Sequence, residues 1–147
     1  MNTEQAPFMR RYQGYFRNLL KWEELDQLWQ TLRSRTEQPW YVYAVGENLP
    51  ETPIDGQSLA HFIEEIDILL RREHDYDYCG IVYVDSIDEP SLIKIYDPNN
   101  LGSSCGSGSL PPPLPGWVIS QLPPVELHTQ QLLPGNRRRW WQRVLGR

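Results

Sequence analysis

The stretch that most constrains the fold is "SLAHFIEEIDILLRRE", residues 58–73. Leu59, Phe62, Ile63, Ile66, Leu69 and Leu70 recur at steps of three and four, which gathers them on one face of an α-helix. His61, Glu64 and Glu65 fall away from that stripe. Asp55 or Ser58 can cap the first turn, and Arg71 and Arg72 suit the negative end of the helix dipole. A helix with one apolar face must lie on something flat.

The flanking sequence supplies the flat partner. "PWYVYAV" (39–45) is dense in β-branched and aromatic residues and reads as a strand. "YCGIVYV" (78–84) has apolar or small side chains at every second position in both phases, which fits a central strand. "SLIKIYD" (91–97) alternates, with Ile93 and Ile95 on one side and Lys94 on the other. The connection "DSIDEP" joins the last two as a hairpin. Residues 40–96 therefore read β-α-β-β, with the first two strands parallel through a right-handed crossover.

Before this unit, residues 8–35 read as helical. Phe8, Tyr12, Phe16, Leu19 and Leu20 form one stripe and Leu25, Leu28, Trp29 and Leu32 another, out of phase across 21–24. Two helices or one bent helix follow from that break, and Gly14 weakens the first. The expectation is an α+β fold: a small mixed β-sheet packed by an N-terminal helical segment and one central amphipathic helix, forming one domain over 1–100.

Residues 101–147 differ in kind, holding seven of the thirteen prolines and six of the ten glycines. They read as a Gly/Ser/Pro-rich loop and extended arm, ending in a short basic aromatic segment packed on the domain. "WVIS" and "VELH" are candidates for an edge strand. Charge follows the same division: +2 over 1–35, −11 over 36–100 and +4 over 101–147. Oppositely charged regions pair within the chain, with a second copy or with other partners. A net charge of −5 argues against non-specific nucleic-acid binding by the whole chain.

Candidate chemistry is sparse. Cys105 lies in "GSSCGSGS", but nothing adjacent lowers a thiol pKa, and "LPPPLP" follows where a phosphate-binding loop would open a helix. His61, His74 and His128 could reach it as a base only through folding, with His128 and His74 the candidates. His74, Asp75 and Asp77 offer a carboxylate–imidazole cluster for a metal, set against a polar helix-to-strand turn. Asp85, Asp88 and Glu89 read as turn residues. No cofactor is expected, and the chain leans away from an enzyme.

Two features point to partners. Pro111, Pro112, Pro113 and Pro115, before Trp117, favour polyproline II, a ready ligand for aromatic grooves or a cover for the chain's own rings. Arg137, Arg138 and Arg139 with Trp140 and Trp141 suit docking on an acidic surface or on nucleic acid. Membrane-surface contact is disfavoured, since stable anchoring takes two signals. With no long apolar run and two distant cysteines, a cytoplasmic setting is expected. The leading function is a non-catalytic protein-interaction or assembly protein. The alternatives are a small thiol-dependent enzyme or redox protein using Cys105, and nucleic-acid binding through the Arg/Trp tail.

Overall fold

The computed structural model describes residues 6–99, 114–127 and 135–145. Its elements in chain order are α1 (Ala6–Tyr12), β1 (Arg17–Asn18), α2 (Trp22–Arg33), β2 (Tyr41–Ala44), α3 (Gly56–Glu73), β3 (Val82–Val84), β4 (Leu92–Ile95), β5 (Trp117–Ser120) and α4 (Gly135–Leu145). The amphipathic stretch forms α3. Asp55 caps it, its side chain accepting from the Ser58 amide at 2.7 Å, and Arg71 and Arg72 occupy the last turn. All six residues of the stripe are buried. Truncating one of them, such as Ile66→Ala, removes packing of the kind that contributes about 2–5 kcal/mol.

The fold is α+β, as the composition of elements implies, but the sheet is antiparallel throughout rather than mixed. The strand order is β1-β3-β4-β5-β2. β2 pairs with β5, and β3 pairs with β1 and β4, so the expected parallel β2–β3 neighbours never meet. The reason is β5. "WVIS" is an interior strand, buried at all four positions, and it inserts between β4 and β2 with antiparallel registers on both sides. β3 and β4 do form the antiparallel hairpin. Asp85 holds their connection: one oxygen accepts from the Ser86, Ser91 and Leu92 amides and the other from the Ser91 hydroxyl.

The segment read as helical over 8–35 is interrupted. α1 stops at Tyr12, and residues 17–20 run extended along residues 79–84 instead. Leu19 donates to the Val82 carbonyl, while Gly80 and Cys79 donate to Leu19 and Leu20. Glu24 then closes the start of α2 by accepting from the Lys21 and Leu20 amides.

Apolar side chains fill both faces of the sheet. The larger cluster joins α2, α3 and α4 to Val42, Val82, Val84, Ile93, Ile95, Trp117 and Ile119. The smaller one, on the opposite face, sets Phe8 of α1 against Tyr43, Leu92, Val118 and Leu127. Lys94 staples the N-terminal segment to that second face. Its Nζ lies 4.0 Å from the ring centroids of both Tyr12 and Phe16. Among the described residues no helix is long and apolar enough to cross a membrane.

Candidate functional site

The end of α3 and the turn that follows it form the most distinctive surface among the described residues. His74 ends the helix, its amide donating to the Leu70 carbonyl, and its side chain is only 4% exposed. The imidazole points inward, where Nε2 donates to the Cys79 carbonyl at 2.8 Å. Three further bonds fix the turn: Tyr76 amide to His74 carbonyl, Trp22 Nε1 to Tyr76 carbonyl, and Cys79 amide to Leu20 carbonyl. Gly80 completes it at φ +73°, a backbone region that a side chain at Cβ disfavours.

Between these anchors Asp75, Tyr76, Asp77 and Tyr78 are all exposed. Tyr76 and Tyr78 are 60% and 55% exposed, yet ordered against one another, with ring centroids 5.6 Å apart and planes 28° from parallel. The buried His74 ring supports both, at 4.7 Å from Tyr76 and 6.0 Å from Tyr78. Trp22 meets His74 edge-on at 6.2 Å and itself carries the Arg71 guanidinium 4.8 Å from its ring centroid. Leu20, more than half exposed, adjoins through the backbone bond to Cys79. The result is an exposed apolar-aromatic surface on a turn that also exposes two aspartates.

The same end of α3 anchors the C-terminal helix. Arg137 is 4% exposed and bound by two carboxylates, Glu73 at the end of α3 and Asp97 just after β4. Nε and Nη2 donate to Asp97 at 2.8 and 3.1 Å, while Nη1 and Nη2 donate to Glu73 at 3.1 and 2.5 Å. Burial alone would lower the guanidinium pKa, but these bonds more than offset it and raise the pKa. Arg137, by hydrogen bonding first and by charge as well, holds the Glu73 carboxyl below its ordinary range. Trp140 and Trp141 pack edge-on against Phe62, and Trp140 also meets Trp117.

The residues singled out from sequence are thus distributed unevenly. Cys105, His128, Pro111, Pro112 and Pro113 lie outside the described residues, as does the side chain of Arg138. Pro115, Trp117, Arg137, Trp140 and Trp141 are buried within the chain, and Arg139 is exposed. The structure parts His74 from Asp75 and Asp77, with the imidazole inside and the aspartates in solvent. Among the described residues no three His, Cys, Asp or Glu side chains converge as a metal site. Cys79 is buried and its thiol pKa is pushed up by that burial. Tyr76, Tyr78, Leu20 and Trp22 were not singled out. The signal was present in "HDYDYC", where tyrosines alternate with aspartates in a turn too polar to bury.

Neither a protein-family model, nor a curated protein, nor a solved structure matches this chain.

Proposed function

We propose that the protein is a non-catalytic interaction or assembly component of the cytoplasm that docks a protein partner through the turn at 74–78. The observation that carries this reading is the stacked Tyr76–Tyr78 pair, exposed yet supported from below by a buried histidine. Tyrosine has two side-chain torsions, so little entropy is lost when an already ordered ring is covered. With 60% and 55% of their surface exposed, the two residues each keep little more than half of an aromatic side chain's roughly 150–250 Å² to bury, and a hydroxyl to bond at the rim. Leu20 supplies aliphatic contact, and Asp75 and Asp77 give the surface a sign. Aromatic anchors with a charged rim are the usual composition of an interface that concentrates its binding energy.

The test is site-directed photo-crosslinking in the source cell. A photoreactive phenylalanine analogue replaces Tyr76, and in a control chain replaces the exposed Gln57. Specific protein adducts are expected at position 76, lost when Tyr78→Ser is added. The same adducts at both positions, or none at 76, would refute the reading.

A further inference from the structure

We infer that the occupant of this turn is the C-terminal helix of a second copy of the chain, with Arg139 and Arg143 of α4 seated on Tyr76 and Tyr78 and paired with Asp75 and Asp77. The inference rests on the interaction reading above and names its partner.

α4 divides its side chains by face. Arg137, Trp140, Trp141 and Val144, at helical spacing, are buried against the chain's own core. Arg139 and Arg143 lie one turn apart on the other face and are exposed. Among the described residues no ion pair joins Arg139 or Arg143 to a carboxylate, or Asp75 or Asp77 to a cation. The acidic stretch has therefore satisfied one arginine in cis, through Glu73 and Asp97, and left two carboxylates facing solvent beside two rings. Among the described side chains of the basic helix, two cations face solvent in turn.

The two surfaces are complementary in charge and in chemistry, two exposed arginines against two exposed tyrosines and two exposed aspartates. A guanidinium stacks flat on a tyrosine ring while its edge N–H groups remain free for a carboxylate. The aspartates alternate with the tyrosines along the turn, so one segment offers both ring and acceptor. The complementarity is two positive charges against two negative ones, and both halves are carried by one sequence. Because each copy carries both surfaces, two copies can make the contact twice about a two-fold axis or once head to tail.

The experiment is sedimentation velocity on the full chain over a concentration series, at about 50 mM and about 500 mM salt, where screening differs several-fold. Two charge-reversed variants are compared, Asp75→Arg/Asp77→Arg and Arg139→Glu/Arg143→Glu. Wild type is expected to associate, more weakly at high salt. Each variant alone is expected to associate at least about tenfold more weakly, the effect of losing one hot-spot contact. An equimolar mixture should recover association, because each variant offers the surface that the other now needs; misfolded variants would not do this. Wild type that stays monomeric at every concentration, or association that both variants retain, overturns the inference. Specific crosslinks from position 76 to a different protein, with a monomeric purified chain, would sink the second-copy occupant alone. Loss of both results would sink the interaction reading as well.

Discussion

Removing the Arg137 side chain beyond its methylenes, as Arg137→Met, should cost this fold more than any exposed charge could. Arg137 is 4% exposed, as is the Asp97 side chain, while Glu73 is about one-fifth exposed. Breaking a buried ion pair by deleting one partner typically costs about 3–5 kcal/mol, because the remaining charge stays buried and uncompensated. Asp97 fits that case. Glu73 keeps access to water and to Arg72 and Asn99, so its share is discounted. The expected loss is therefore about 3 kcal/mol, at the low end of the range. Urea unfolding followed by circular dichroism and by tryptophan fluorescence measures it, the second probe reporting on Trp140 and Trp141 where they pack on Phe62. Adding Asp97→Asn to Arg137→Met should recover part of the loss, since the stranded charge is then gone. The pH dependence gives an independent readout. Glu73 has a folded pKa below its ordinary 4.5, first because Arg137 donates to it. Its contribution is therefore present above that ordinary value and lost as pH falls through the lower, folded one. The acid limb of stability should flatten in Arg137→Met. A variant within about 0.5 kcal/mol of wild type, the range of ordinary surface substitutions, would refute the account of α4 as held by this network.

Two further substitutions probe the turn and the second sheet face. Gly80→Ala places a Cβ 3.2 Å from the Tyr78 ring on a backbone at φ +73°. It should lower stability by about 1–2 kcal/mol, and an unchanged thermal midpoint would show that the turn is not held as described. Lys94→Ala removes the cation between Tyr12 and Phe16. Such contacts are worth about 1–2 kcal/mol when partly desolvated, so amide exchange across residues 8–12 should accelerate. Exchange there at the wild-type rate would exclude the staple.

What could be read from the sequence was whatever one element decides alone. α3 carries its stripe, its cap at Asp55 and its closing arginines within one continuous stretch, so its signal needs no partner. The β3–β4 hairpin was legible for a similar reason, since its alternation and its short connection are local. β5 was not, because four apolar residues say that a strand exists but not which neighbours it takes. That choice belongs to the whole sheet, and β4 on one side and β2 on the other made the sheet antiparallel. β1 is two residues long and was hidden in a run of helical-looking spacing. In α4 the inward stripe begins with an arginine. The carboxylates of Glu73 and Asp97, brought from far along the chain, bind the buried Arg137 on the same face of α4 as the buried Trp140 and Trp141. The tyrosines of the turn were overlooked for a plainer reason: His74 and the aspartates drew a metal reading, although the imidazole was needed inside.

The two surfaces that the proposals join are organised by four consecutive residues. Arg71 stacks on Trp22 and Glu73 receives Arg137, while His74 turns inward to carry the tyrosine pair; Arg72, between them, is largely exposed and pairs with Glu73. A helix places neighbouring residues about 100° apart around its axis, so its last turn can send side chains to separate elements at once. That is why one helix terminus can fix α2 and α4 and also launch the turn. It also separates the proposals from general stability. Loss of Glu73 or Arg137 should disturb the placement of α4 while the turn, held by His74, Cys79 and Trp22, keeps its shape. Association driven by both surfaces would then fall with Arg137→Met, whereas crosslinking from position 76 to an unrelated protein would not. The order of those two effects distinguishes a surface built for self-assembly from one built for a different partner.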